Sequence, residues 1–334
     1  MFTGTKFESV RRTVLFSTRR SFVKRLYPFC ISCLASIALL FSTSNSQGQL
    51  VNWYVAVDGS STEPIWSAYR DLDGDGTPEI DLANPNEGHL TFLYAHSIEE
   101  DPSQNHFHTI GRYAYTGDLA SPSVSDSNQY SFWFGGQLFQ GLPANLIPEQ
   151  LSDFGEVESP LALLPSDGLY DGKLTSIPGG EAGGTYADME IRPATDLASF
   201  APGTPEHFML YALEPFGEDY DDSLAGAVIA IELLDKTPGL NIGSLTETSI
   251  LADAGDTAEI GSGDENFSFT PVFWTEADAP AGTYSATMRL VDLRTNGEAF
   301  LPSGQYTFSF SVVPEPTAAM LCFVSLAGIT QRRR

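Results

Sequence analysis

This sequence predicts an all-β protein built as an antiparallel β-sandwich. Several segments alternate apolar and polar residues with a period of two, which is typical of strands that bury one face. The 30 glycines and 21 prolines recur along the chain, as expected for short strands joined by turns. Long apolar stripes at helical spacing are missing, so the sequence does not indicate extensive helix.

The first 48 residues have the pattern of a secretory signal peptide. Seven basic residues precede an apolar stretch from Leu26 to Phe41, and Ser46-Gln47-Gly48 fits the small-x-small site of signal peptidase. We therefore expect export, with a mature chain that starts near Gln49. An uncleaved anchor is the alternative, and the true start codon could lie downstream of Met1.

The next segment with a chemical signature is rich in aspartate. Carboxylates stand at positions 1, 3 and 5, a glycine at 6 and a carbonyl at 7, as in loops whose hard oxygens surround a calcium ion. Position 12 is Leu82, so the loop departs from an EF-hand, and Asp81 at position 11 could serve instead. The alternative is an acidic turn without an ion. The candidate ligands are Asp71, Asp73, Asp75, Thr77, Glu79 and Asp81.

Four of the five histidines lie within twenty residues of sequence. His106 and His108 are two apart in a predicted strand, so both imidazoles would share one face while Phe107 points into the core. His96 ends the preceding predicted strand, and a hairpin through residues 97–104 would bring it to the pair. Three imidazoles on a sheet are typical of a zinc or copper site.

Further candidates for this site are weaker. His89 has the opposite parity to His96, so we expect it to contribute less. The fourth ligand position is open to His207, Glu206 or water. The alternative for the whole cluster is a set of surface or hydrogen-bonded histidines without a metal.

The remaining strands follow from the same alternation. The segments that predict them are residues 91–95, 130–134, 283–290 and 306–312. Residues 225–234 are long enough for a helix, but their β-branched side chains favour a buried strand that ends at Pro238-Gly239.

A domain boundary is expected at this turn. It would separate a β-rich, histidine-containing domain over residues 49–240 from a small Ig-like sandwich over residues 241–312.

The last 22 residues have the pattern of a surface-sorting signal. Their two prolines end any preceding strand, since proline fixes φ and lacks an amide proton. The apolar run that follows is shorter than the ~20 residues of a usual membrane span, and three arginines would stay on the cytoplasmic side. The motif residues are Val313, Pro314, Glu315, Pro316, Arg332, Arg333 and Arg334.

Residues 313–334 resemble the PEP-CTERM signal of exosortase-processed surface proteins of Gram-negative bacteria. The resemblance implies exosortase and signal peptidase as partners during maturation, and membrane contact only through the C-terminal helix before processing. It also implies a location at the outer membrane, the cell surface or the extracellular matrix. An ordinary C-terminal tail anchor is the alternative.

Removal of both ends would leave a strongly acidic chain. Seven of the 17 basic residues and 41 of the 43 acidic residues remain, which changes the net charge from −26 to −34. Such a surface repels nucleic acid and anionic lipid and attracts cations. Cys30, Cys33 and Cys322 all lie in the removable ends, so a transition-metal site must use histidine, aspartate and glutamate.

A second resemblance covers nearly the whole mature chain. Its most specific block is Asn105-His106-Phe107-His108-Thr109-Ile110-Gly111, which is similar to a PEP-CTERM family repressed by the zinc-uptake regulator. Further similar pieces are Leu82-Ala83-Asn84-Pro85-Asn86, Thr237-Pro238-Gly239-Leu240-Asn241 and Phe269-Thr270-Pro271-Val272-Phe273-Trp274. The resemblance implies a surface protein made when zinc is scarce, with a role in zinc acquisition or handling.

We therefore predict an exported zinc-binding protein without catalytic activity. The sequence has no Gly-x-Ser-x-Gly elbow and no His-Glu-x-x-His motif. A binuclear hydrolase motif would need an aspartate where Ile110 stands. A structural matrix or adhesion protein with calcium as its only metal is the second interpretation, and a metal-dependent hydrolase is the third.

Overall fold

The computed structural model describes residues 50–125, 132–134, 137–139, 161–176 and 189–313, without residues 52, 66, 68 and 99. These residues belong to one compact unit, Gly48–Arg334. The predicted signal peptide and the sorting signal from Pro314 onwards lie outside the described residues. Strands dominate the described part of the chain and its one α-helix has seven residues, which confirms the all-β prediction.

The strands are short and follow one another closely. In chain order they are β1 (Trp53–Val57), β2 (Leu90–His96), β3 (His106–Ile110), β4 (Ala114–Asp118), β5 (Ser121–Ser125), β6 (Phe132–Phe134), β7 (Gln137–Phe139), β8 (Leu161–Ala162), β9 (Leu164–Pro165), β10 (Lys173–Thr175), β11 (Ile191–Pro193), β12 (Val228–Lys236), β13 (Asn241–Ser244), β14 (Thr257–Ser262), β15 (Pro271–Glu276), β16 (Gly282–Asp292) and β17 (Tyr306–Val312). The helix is α1 (Pro205–Tyr211), and 3-10 turns occupy Pro102–Gln104, Gly168–Tyr170, Ala194–Ser199 and Glu214–Phe216.

Three sheets form the body of the described structure. Their orders are β11-β1-β2-β3, β13-β15-β10-β9 and β14-β12-β16-β17-β8. β4 with β5 and β6 with β7 form separate two-stranded hairpins. Neighbouring strands are antiparallel except in two pairs, β1 with β11 and β17 with β8. The predicted strand at residues 225–234 is confirmed as β12.

One apolar core is shared by the three sheets. Trp53 stacks on Phe92 with ring centroids 4.9 Å apart, and its ring meets Phe308 edge-on at 5.5 Å. Phe273 of β15 in the second sheet contacts Phe310 of β17 in the third sheet, with ring centroids 4.7 Å apart. Such aromatic pairs add about 0.5–1.5 kcal/mol each beyond the area that they bury. The sheets are therefore joined face to face by interlocking rings.

A second core lies on the opposite face of the first sheet. There Leu93 and Phe107 pack with Met209 and Leu210 of α1. The first sheet is thus covered on both faces, which explains why every residue of β1 is buried and why β1 reads as a continuous apolar run rather than an alternating one. The second core also fixes which face of β3 carries Phe107.

The boundary expected near residue 240 does not separate two sets of sheets. β12, before this point, pairs with β14 and β16, which lie after it, and β10 pairs with β15. Gly239 adopts a φ of 91°, and the Leu240 amide donates to the Thr237 carbonyl. The Pro-Gly signal therefore marks a turn between β12 and β13 and not a linker.

Candidate metal centres

The β2–β3 hairpin brings three histidines to one place. The strands are antiparallel, and their register sets His96 directly opposite His106 and Tyr94 opposite His108. Because side chains alternate along a strand, His106 and His108 share a face with His96. Phe107 points the other way and is 2% exposed in the second core.

The three imidazoles are close enough to hold one ion. Their ring centroids are 4.8–5.3 Å apart, and one nitrogen from each lies within 4.8 Å of the others. His108 Nε2 lies 3.3 Å from His96 Nδ1. Two nitrogens bound tetrahedrally at 2.0–2.1 Å would be about 3.3 Å apart. The two atoms also lie within hydrogen-bond distance, so one proton can link them when no ion is bound.

A backbone contact orients the third imidazole. His106 Nδ1 lies 2.7 Å from the carbonyl oxygen of Gln104, which can only accept a hydrogen bond. Nδ1 therefore carries the proton and donates it, so Nε2 keeps its lone pair for a metal ion. Metal-ligating histidines commonly have such an outer partner, which fixes both tautomer and ring orientation.

The surroundings favour the neutral form of two of the three imidazoles. Burial lowers the pKa of His108 well below 6.5, and the neighbouring His106 and His96 lower it further. Burial is also the main cause that lowers the pKa of the His96 imidazole, with His106 as the second cause. Neutral imidazole is the form that binds metals, so the site favours an ion over protons.

The other two histidines are not part of this cluster. His89 Nδ1 lies 2.6 Å from the Pro302 carbonyl, and its ring contacts Tyr113 at 4.6 Å. The position of His89 outside the cluster agrees with the expectation, from alternation along the strand, that it contributes less than His96.

The two candidates from α1 for the open fourth position also lie elsewhere, which corrects that part of the prediction. His207 lies on α1 and contacts Tyr211 with ring centroids 4.7 Å apart. α1 packs against the face of the first sheet that carries Phe107, opposite the imidazoles, so neither His207 nor Glu206 joins the three histidines.

The acidic loop forms the second candidate centre. Asp71, Asp73, Asp75 and Glu79 each offer a carboxylate oxygen, and these oxygens all lie within 4.8 Å of one another. Asp71 is 6% exposed, and its two oxygens accept the amides of Gly74 and Gly76 at 2.7 and 2.8 Å.

The loop curls around its own carboxylates. The Thr77 amide donates to Asp75 Oδ1 at 2.8 Å. Both glycines have positive φ, 75° for Gly74 and 83° for Gly76, which only glycine adopts without strain. A hard cation matches the oxygen donors that result.

The prediction that Asp81 could serve as a ligand of the loop is wrong. Asp81 points away, with 83% of its side chain exposed, and its carboxylate lies 3.8 Å from Arg70. Glu79 takes the role instead because its Oε2 accepts the Leu72 amide at 2.6 Å, which turns its carboxylate back towards the loop. Glu79, at position 9 of the loop, therefore belongs to the carboxylate group, and Asp81, at position 11, does not.

A third group of charged residues was not found from the sequence. Arg112 lies 3.8 Å from Asp58 Oδ2 and 3.3 Å from Glu218 Oε1, and all three side chains are largely buried. The residues are separated by 54 and 106 positions, since each comes from a different loop. The three residues belong to no local sequence motif, so the sequence alone does not indicate this group.

No family model matches the chain, and a search of curated proteins found no match either. Among the helices of the described residues, none combines the length and the apolar character needed to cross a membrane. Of the predicted sorting motif, the described residues include only Val313, which is 62% exposed.

Proposed function

We propose that the protein is an exported cell-surface protein that binds zinc and serves zinc acquisition or handling without catalysis. The observation that carries this proposal is the convergence of three imidazoles, on His96, His106 and His108, at one end of the β2–β3 hairpin. Three neutral imidazoles can bind and release an ion without any additional reacting group.

Several features support zinc in particular. The 3.3 Å separation of His108 Nε2 and His96 Nδ1 is compatible with two ligands of one tetrahedral ion, the geometry that zinc adopts. All three cysteines fall outside residues 49–312, so the mature chain would offer no thiolate to compete as a ligand. The resemblance to a family repressed by the zinc-uptake regulator points the same way.

Export and sorting rest on the two ends of the sequence. The basic leader with its apolar stretch and the Pro-Glu-Pro tail with three arginines motivate them. Intact-mass measurement on protein from the native cell surface should give a start near Gln49 and should lack Cys322. Retention of Cys322 would reduce the tail to an ordinary anchor.

Zinc titration of the chelated protein tests the proposal directly. The mature protein should bind one zinc ion per chain, and the double variant His106→Ala, His108→Ala should lose that binding. His89→Ala is the matched control, because it removes an imidazole outside the cluster and should leave the affinity unchanged. Equal zinc affinity in the wild type and the double variant would refute the site.

A structural matrix or adhesion protein is the second candidate. The closed carboxylate group of the acidic loop favours it, because a calcium ion there would stabilise an extracellular β protein. Metal analysis after chelation and re-addition separates the two candidates: stoichiometric zinc supports the first, and calcium alone supports the second.

A metal-dependent hydrolase is the weakest candidate. Ile110 stands where a binuclear hydrolase motif would need an aspartate, and its side chain is 3% exposed in the first core. Loss of activity towards phosphate and ester substrates on chelation would favour this candidate over the first two.

A further inference from the structure

A buried group of charges lies where the segments after β1 and β3 meet the chain after the 3-10 turn Glu214–Phe216. The Arg112 guanidinium faces Asp58 at 3.8 Å and Glu218 at 3.3 Å, with 2% and 5% of those two acidic side chains exposed. Glu63 is 7% exposed, and the charge of the same guanidinium opposes the effect of burial, which raises the pKa of its carboxyl. One positive charge therefore stands against three buried carboxylates, which we call the Arg112 group.

The neighbours of Asp58 do not balance this charge. Asn84 donates to Asp58 Oδ1 at 2.9 Å, and the Ser60 amide donates to the same oxygen at 3.1 Å. Both donors are neutral. The other titratable neighbour is His89, whose ring nitrogen Nδ1 contacts the Pro302 carbonyl.

Arg70 also acts on Glu63, but its guanidinium is directed elsewhere. Arg70 donates to the carbonyl oxygen of Glu63 and not to its carboxylate, and its second guanidinium nitrogen lies near Asp81. Glu63 Oε2 is buried and has no hydrogen-bond partner among the described residues.

Apart from Arg112, the groups that act on Glu218 are acidic or neutral. Tyr220 faces Glu218, and Asp219 follows it in the chain. Burial raises the pKa of Glu218 to about 7, although Arg112 opposes this shift. Burial raises the pKa of Asp58 and of Glu63 as well. Burying two uncompensated negative charges is costly, and protonation removes that cost.

We propose that the Arg112 group is a proton-binding site that keeps one of its carboxyls neutral near neutral pH. The stability of the packing between the three segments that meet there then depends on pH. A metal ion fits less well, because within the described residues only the histidine cluster and the acidic loop bring three or more ligand atoms together. Loss of the proton places like charges side by side and destabilises the packing of the three segments. The proposal is independent of zinc binding.

The direction of the pH effect follows from proton linkage. The pKa of Glu218 is about 7 in the folded chain against 4.5 for an ordinary glutamate, so between these values the folded state holds a proton that the unfolded state has lost. The contribution of Glu218 to stability therefore falls as the pH rises from 4.5 to about 7 and stays low above it. The difference corresponds to roughly a few hundredfold in the folding equilibrium constant.

Glu218→Gln tests the proposal because glutamine has nearly the same shape and stays neutral at every pH. Denaturant unfolding of the chelated mature protein between pH 5.5 and 8.5 should show that the variant is more stable than the wild type at pH 8. The advantage should shrink as the pH falls. Glu265→Gln, at an exposed carboxyl far from the group in sequence, is the matched control and should follow the wild-type profile.

Infrared spectroscopy of the wild type provides a test that does not depend on a variant. The carbonyl band of a protonated carboxyl should be present at pH 6 and disappear as the pH rises through about 7. A spectrum without this band at pH 6 would overturn the proposal, and so would identical pH profiles for Glu218→Gln and the wild type. Zinc titration of Glu218→Gln should match the wild type.

Discussion

The histidine cluster and the acidic loop are held in place by different parts of the chain. The imidazoles owe their positions to strand register and to a core residue on the opposite face, whereas the carboxylates are held by amides of their own loop. One site is therefore fixed by long-range pairing and the other by local turns. Substitutions that disable one site should leave the other intact.

The largest expected effect comes from the residue between the two strand histidines. Phe107→Ala removes a buried ring from the second core and should lower the free energy of unfolding by about 3–5 kcal/mol. Leu72→Ala, at an apolar side chain of the acidic loop that is 45% exposed, should change it by less than about 0.5 kcal/mol. Urea unfolding of both variants checks this contrast. A similar small loss in both would mean that Phe107 does not hold the sheet.

Calcium should stabilise the wild type through the acidic loop. At a calcium concentration 100 times the dissociation constant, the gain is about 2.7 kcal/mol. Asp71→Ala should abolish it, because Asp71 both offers oxygens and holds the Gly74 and Gly76 amides. Asp73→Ala combined with Asp75→Ala should also abolish it, because it removes two of the four carboxylates of the group. Thermal unfolding with and without calcium measures the gain; an undiminished gain would place the ion elsewhere.

The affinity for zinc should depend on pH in a specific window. Because the pKa values of His96 and His108 lie below 6.5, protons should not compete with zinc between pH 8 and 7. Affinity should decline only as the pH falls below about 6.5, when protonation of the imidazoles begins to oppose binding. Calorimetric titrations across this range check the profile. A steep loss between pH 8 and 7 would contradict the lowered pKa values.

The smallest expected effect separates two positions of the acidic loop. Asp81→Asn should leave the calcium-dependent stabilisation unchanged, since its carboxylate points to Arg70 and away from the loop. Glu79→Gln should reduce that stabilisation because it removes a charged ligand from the group. Differential scanning calorimetry can compare the two variants with calcium. The reverse order would restore position 11 as the closing ligand.

The sequence was sufficient to predict the histidine cluster because alternation along a strand is a property of the backbone alone. Side chains two positions apart in a strand point to the same face of the sheet. A short hairpin then brings the end of β2 to the start of β3. The same reasoning could not decide between Glu79 and Asp81. That choice depends on the hydrogen bond from the Leu72 amide, which exists only in the folded loop.

Long-range features were beyond the reach of sequence patterns. The parallel pairing of β1 with β11 joins residues more than 130 positions apart, and the Arg112 group assembles side chains from three separate loops. The Pro238-Gly239 pair indicates a boundary by its local chemistry, but a turn inside a sheet has the same local chemistry. Which of the two forms depends on partners such as β14 and β16.

The β2–β3 hairpin also has a consequence for how this chain can change in length. The loop between the strands is closed by Asn105, whose side chain accepts the Ile98 amide at 2.7 Å, so residues inserted between these two positions would lengthen the loop without moving either strand. A single residue inserted between His106 and His108 would instead put the two imidazoles on opposite faces. Natural variants should therefore tolerate insertions and deletions in the loop but not between these two histidines.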